Sequence, residues 1–282
     1  MAARVVAAMV ALSSTRAMPL PPPTSSAPTV NASDARGGLA PWWYGPTLGP
    51  KLGPKDWARG YGQCGQGHQS PINLEQAVAD PQLGRLELTV KQEGCAQATF
   101  ENTEHYWEVT TGDCGNASVL RYLGKEWVLQ QFHWHSPSEH TIGGGYHDME
   151  CHMVHAAPDG SELVIGVFLS ADATVRDNVF LEDFWSSSAF DNQTRPVPSG
   201  VNPYEGLLPA DPAYFAYQGS STTPPCALDV EWIVFREPVE ISARQLATFR
   251  SALGGMTQPD VQHDDARPLQ PLQGRVLRMG GL

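Results

Sequence analysis

Aromatic and aliphatic positions alternate with polar ones in short runs along most of the chain, and turn residues separate the runs. A period of two predicts strands. They fall over Leu86–Lys91, Ala96–Glu101, Tyr106–Thr111, Ser118–Tyr122, Trp127–His135, Glu150–Ala156, Leu163–Leu169, Tyr214–Gln218 and Leu228–Phe235. Two stretches read as helix. One is Val175–Ser186. The other is Ser242–Ala252, with Ser242 placed as N-cap and Leu246, Phe249 and Leu253 at helical spacing. Val201–Asp211 reads as irregular loop, and no internal repeat is visible. Many strands with few short helices predict a mainly β single domain over residues 41–278.

Composition narrows this picture. The 282 residues are 41% hydrophobic and 17% charged, enough for one large core. The 27 glycines and 24 prolines suit many turns rather than long helices. A formal net charge of -12, with no basic stripe, excludes nucleic acid as an expected partner.

The first 17 residues carry an address-like pattern: Arg4, a short apolar run Val5–Leu12, then Ser13 to Ala17. This predicts a secretory signal peptide, because the run is too short to span a bilayer. Residues 18–40 are rich in Pro, Ser, Thr and Gly and read as a linker. No later segment is expected to cross a membrane. The five cysteines, Cys64, Cys95, Cys114, Cys151 and Cys226, leave at least one thiol unpaired. Glycosylation sequons begin at Asn31, Asn116 and Asn192. Together these features predict a route through the secretory pathway to the exterior. A plastid or another lumen reached by the same route is the alternative.

The densest chemistry lies in Gln131-Phe132-His133-Trp134-His135 and Met149-Glu150-Cys151-His152. Side chains two apart on a strand share a face. His133 and His135 therefore reach one ion, and a neighbouring strand supplies His152. Three neutral imidazoles around an open fourth position describe a catalytic zinc site rather than a structural one. Ligating imidazoles need their other nitrogen fixed. Gln131 lies two before His133, and Glu150 two before His152, so each is placed to do this.

At this point the chain resembles the α-class carbonic anhydrases, over about Trp42 to Arg275. The resemblance rests on segments that match in order: Gln69 to Asn73, Gln131 to His135, Ser138 to Thr141, Glu150 to His155, Gly219 to Pro225, Trp232 to Val234, and Arg267 to Leu272. It implies a large, twisted, mostly antiparallel sheet with short peripheral helices and a conical zinc cavity. It also implies reversible hydration of carbon dioxide to bicarbonate and a proton, by attack of a zinc-bound hydroxide. Thr222 would accept a hydrogen bond from that hydroxide and donate to Glu139. Thr223 would line the bicarbonate side, and Val154, Val164, Val230 and Trp232 the apolar wall for carbon dioxide. His105 would export the proton, a task suited to an imidazole titrating near neutrality.

The resemblance further implies a Cys64–Cys226 disulfide that clamps the N-terminal segment to the loop carrying Thr222. Cys95 and Cys114 flank an expected hairpin and are placed as a second bridge, and Cys151 as a buried free thiol. Four positions depart from the family pattern. Glu104 stands at a common glycine, Glu108 at a neutral polar wall residue, Ser221 at a pocket leucine, and Asp265 at a usual asparagine. Ser221 leaves room for esters, so a zinc-hydroxide esterase is one alternative. A non-catalytic binding or scaffold domain is the other, although all three zinc ligands are present.

Overall fold

The strand-forming runs assemble mainly into one sheet. The structure is a computed structural model that describes residues 40–90, 98–103, 105–111, 118–182, 184–185, 194–197, 202–256 and 264–282. The expected leader (1–17) and the linker (18–40) up to Ala40 lie outside the described residues. So do Glu104, Cys95, Cys114 and the three sequon asparagines.

Fifteen strands form among the described residues: β1 Asn73–Leu74, β2 Val78–Ala79, β3 Glu87–Val90, β4 Thr99–Asn102, β5 Trp107–Thr110, β6 Ser118–Tyr122, β7 Lys125–His135, β8 Thr141–Ile142, β9 Met149–Ala156, β10 Glu162–Asp172, β11 Arg195–Pro196, β12 Tyr214–Ser220, β13 Leu228–Phe235, β14 Val239–Ser242 and β15 Arg278–Gly280. Thirteen join in one sheet whose main path runs β11-β4-β5-β7-β9-β10-β13-β12-β15-β2. Strand β6 pairs β7, β3 pairs β6, and β14 pairs β10. Most ladders are antiparallel, while β10·β13, β10·β14 and β15·β2 are parallel, so the sheet is mixed. Strands β1 and β8 form a separate parallel pair.

Helices are short. Among the described residues of the expected stretch Val175–Ser186, the helix that forms is α1, Val179–Glu182. Asn178 sets its start, because its Oδ1 accepts from Phe180 N (3.0 Å) and Leu181 N (3.3 Å). A side chain capping those amides starts the helix at Val179 and no earlier. The expected loop Val201–Asp211 contains one turn of helix, α2 Pro203–Gly206, with Pro203 in its first turn and Asn202 accepting from Tyr204 N. Helix α3 runs Ala243–Met256. Ser242 Oγ accepts from Gln245 N (3.1 Å), and Gln245 Oε1 accepts from Ser242 N (3.4 Å), a reciprocal capping box. Phe249 and Leu253 from α3 are buried in the main core.

That core occupies one side of the sheet and includes Trp107, Phe132, Trp134, Met153, Ile165 and Trp185. A second apolar cluster holds Ile72, Val164, Phe168, Tyr217, Val230 and Trp232. A third, smaller cluster gathers Leu52, Trp57, Tyr61 and the cysteines Cys64 and Cys226. Phe132 and Trp134 point to the main core, so His133 and His135, one residue out of phase, face the opposite side.

Candidate functional site

Register decides whether the histidines meet. Along β7·β9, Leu129 lies opposite His155, yet His133 lies opposite His152 and His135 opposite Glu150. The ladder shifts between Leu129 and Gln131. One extra residue on β7, a bulge, makes the difference. Unbroken pairing from Leu129 would set His133 against Cys151 and turn His152 to the other face. With the bulge, ring nitrogens of His133, His135 and His152 lie within 4.8 Å of one another.

Each ring has one nitrogen already committed. His133 Nδ1 donates to Gln131 Oε1 at 2.7 Å. His135 Nδ1 donates to the backbone oxygen of Asp265 at 2.7 Å. His152 Nε2 donates to Glu150 Oε1 at 3.0 Å. These bonds leave Nε2, Nε2 and Nδ1 as the three lone pairs, and His135 Nε2 is buried without a hydrogen-bond partner among the described residues. An orphaned buried nitrogen beside two others fits a zinc ion with a free fourth position. A second cluster, His140, Glu150 and His152, also brings its atoms close. Its contacts are hydrogen bonds already made to one carboxylate, so it braces the His133, His135 and His152 cluster from below.

Burial pushes the pKa of His133 well below the usual value, and the neighbouring His135 and His152 add to the effect. Burial also lowers His152. Burial opposes the charged form of His135, but the carboxylates of Glu139 and Asp265 outweigh it and hold its pKa up. Glu150 is the hub. Its Oε2 accepts from the backbone N–H of Glu139 (2.9 Å) and of His140 (2.8 Å), and its Oε1 from His140 Nδ1 (2.8 Å) as well as His152. Burial alone would raise Glu150, yet His140 and His152 hold it well below the usual carboxylate range. Gly166 stands opposite His152 on β10, and a Cβ there would lie 2.8 Å from Glu150 Oε1. A bare backbone is what lets the carboxylate sit under the rings.

From Glu150 a buried chain continues. His140 Nε2 meets the Tyr217 hydroxyl at 2.6 Å, Tyr217 donates to Ser70 Oγ at 2.8 Å, and Ser70 Oγ accepts from Ser220 N at 3.1 Å. Ser220 opens the loop that carries Thr222 and Thr223. Thr222 is buried. Within the loop, Ser221 N donates to Ala227 O (2.8 Å), Ala227 N to Ser221 Oγ (2.8 Å) and Cys226 N to Thr223 O (2.8 Å). The Ser221 hydroxyl is thus engaged with its own loop. Cys226 is bonded to Cys64, which fixes the loop to the N-terminal segment. Cys151 is a buried free thiol.

Glu139 is fully buried. Its Oε1 accepts from Arg267 N at 2.7 Å, while Oε2 lies 3.6 Å from His135 Nε2 and has no hydrogen-bond partner among the described residues. Val154, Val164, Val230 and Trp232 pack in one cluster, and the Trp232 ring lies 4.9 Å from that of His152. His105 sits in the turn between β4 and β5 and stacks on Trp42 with ring centroids 3.7 Å apart.

Of the four positions that depart from the family pattern, Glu104 lies outside the described residues, and Ser221 is bound within its own loop. Glu108 lies opposite His133 on one side and Glu101 on the other. Burial first, then the opposed Glu101, pushes its carboxyl up to about 7. Asp265 Oδ1 accepts from Ser136 N at 2.7 Å, and burial raises its carboxyl to about 7 against the pull of His135.

Sequence reasoning passed over two tyrosines and the role of one backbone oxygen, that of Asp265. Asp265 fixes His135 through its backbone oxygen, which any residue type could supply. Tyr44 lies edge-on to His135 with its hydroxyl buried and unpartnered among the described residues. Tyr106 tilts over His133. Both tyrosines sit beside segments rich in aromatic residues, which reads as ordinary core.

A family model of eukaryotic-type carbonic anhydrases matches residues 52–280. Carbonic anhydrase 7 of Mus musculus is 36% identical over 262 residues, covering 84% of this chain and 96% of that protein. Dioscorin DB3L of Dioscorea polystachya is 33% identical over 241 residues, covering 81% of this chain and 83% of that protein. The solved structure of the α-carbonic anhydrase from Thermovibrio ammonificans, in complex with the inhibitor sulfanilamide, matches with a TM-score of 0.72 at 35% identity. That match covers 86% of this chain and 100% of the other.

Proposed function

The chain belongs to the eukaryotic-type carbonic anhydrases, an enzyme family, and from that premise we propose that it hydrates carbon dioxide reversibly to bicarbonate and a proton on a zinc ion held by His133, His135 and His152. The observation that carries this reading is the convergence of three ring nitrogens whose opposite nitrogens are each tied down.

Zinc held there supplies the Lewis acidity that makes a water nucleophilic at neutral pH. The chain's own residues do the rest. Gln131, the Asp265 backbone oxygen and Glu150 fix the tautomers, so that lone pairs rather than protons face the ion. Glu139 Oε2, unpartnered among the described residues, is the acceptor we assign to the Thr222 hydroxyl once the nucleophile is bound. Thr222 can then only accept from the nucleophile, which aims it and disfavours a ligand without a proton. Val154, Val164, Val230 and Trp232 hold carbon dioxide by apolar contact, and Thr223 lines the side where bicarbonate leaves. His105 takes the proton outward, its ring presented by the stack on Trp42. The Cys64–Cys226 bond supports an oxidising compartment reached through the secretory route, with residues 1–17 as signal peptide and 18–40 as linker.

Stopped-flow hydration of carbon dioxide, run beside cleavage of an activated ester, tests this reading. Zinc-dependent hydration is the expected result. Zinc binding without either activity would make the chain a binding domain, and ester cleavage alone would make it an esterase.

A further inference from the structure

Tyr106 is the side chain that closes one side of the histidine cluster. Its ring centroid lies 4.8 Å from that of His133 at an interplanar angle of 31°, so it covers much of that imidazole face. It also reaches His135, at 6.1 Å and 56°. His133 is 7% exposed, and Tyr106 is one of the groups that cover it. From another direction the Tyr44 ring approaches His135 edge-on at 6.4 Å.

The backbone beneath Tyr106 is held from both ends. Tyr106 N donates to Thr103 Oγ1 at 2.9 Å. Tyr106 O accepts from Thr103 Oγ1 at 2.6 Å and from Thr103 N at 3.0 Å. These bonds fix where the side chain leaves the backbone, and the ring's packing against His133 and His135 sets its direction. Burial pushes the phenol's pKa up, and the carboxylates of Glu108, Glu139 and Glu101 push it the same way. The phenol therefore stays neutral and lies within the field of Glu139, whose Oε2 is 3.6 Å from His135 Nε2.

We propose that Tyr106 is a specificity-determining residue: standing over His133 and His135, it limits the width of a ligand at the metal. A small linear molecule passes beside it, whereas one broad next to its metal-binding atom collides with the ring. This inference rests on the zinc reading of the three histidines.

The test compares two primary sulfonamides as metal-directed probes, benzenesulfonamide and its 2,4,6-trimethyl derivative, whose methyl groups flank the sulfonamide. Affinities are measured by calorimetry on zinc-loaded protein, with zinc-stripped protein as control. The wild type is expected to discriminate against the trimethyl probe. Tyr106→Ala should reduce that discrimination by about tenfold, the scale of relieving one tight steric overlap. Tyr106→Phe should keep it within about twofold, since the ring and not the hydroxyl is the barrier. Tyr106→Leu, which keeps an apolar side chain on the turn, gives the same readout if the alanine variant does not fold. Unchanged discrimination in the ring-less variants, or a phenylalanine variant as permissive as alanine, would overturn the inference. Wild-type protein that binds neither probe with zinc present would overturn the zinc reading itself, and this inference with it.

Discussion

Replacing Glu150 by Gln removes one charge and almost no volume, and its consequences follow from four hydrogen bonds. The carboxylate accepts from two backbone N–H groups and two imidazoles. A glutamine oxygen keeps the two backbone bonds. Its NH2 then faces His140 Nδ1 and His152 Nε2, which now present two donors to a donor. The ring of His152 relieves the clash by moving its proton to Nδ1, the atom needed for the metal. Loss of such a supporting partner costs roughly 10–100-fold in metal affinity, about 1.4–2.7 kcal/mol. A buried donor left unpaired at His140 adds about 1–3 kcal/mol of lost stability. Zinc affinity by competition with a chelator, and urea unfolding of the zinc-free protein, measure the two effects separately. A folded Glu150→Gln protein whose zinc affinity lies within twofold of wild type would refute the claim that Glu150 sets the His152 tautomer.

Three further outcomes are expected. His105→Ala should slow turnover in weak buffer, and added imidazole should restore it; unchanged turnover in weak buffer would remove His105 from the proton path. Cys64→Ser opens a bridge between residues 162 apart, and unfolding in urea should show a loss of about 2–5 kcal/mol. An unaltered midpoint would mean that the loop is held without the bridge. His155 is buried against Tyr204, and burial lowers its pKa to about 4. The unfolded chain binds this proton near pH 6.5 and the folded chain does not until about pH 4, so between those values stability falls as pH falls. The sum is about 3 kcal/mol. Zinc-free His155→Gln should lose that part of the slope between pH 6.5 and 4.5, and equal slopes in both proteins would show that His155 does not supply it.

The parts of the fold legible in the sequence are those set by period-two patterning against a core. Strands Ser118–Tyr122 and Leu228–Phe235 form over their expected bounds. Strands β7 and β10 run longer than the apolar pattern, because hydrogen bonding continues through polar ends such as Lys125 and Asp172. Helical propensity in Val175–Ser186 gave way to the cap at Asn178, a side-chain bond invisible to periodicity. At the site, the spacing of His133, His135 and His152 was readable, as were Gln131 and Glu150 at matching offsets. The bulge that brings His133 opposite His152 was not, since register depends on both strands at once. Tyr44, Tyr106 and the Asp265 backbone oxygen come from segments remote from the ligands in sequence or act through groups that no residue type signals.

The central claim is that these three histidines hold the zinc on which hydration depends. Zinc titrated into chelator-stripped protein, with carbon dioxide hydration followed by stopped flow, tests it directly. Activity should rise in proportion to added zinc and level off at about one equivalent, as three ligands around one ion require, and His135→Ala should show no such rise. Hydration that ignores zinc, or a His135→Ala protein that regains full activity at the same stoichiometry, would contradict it.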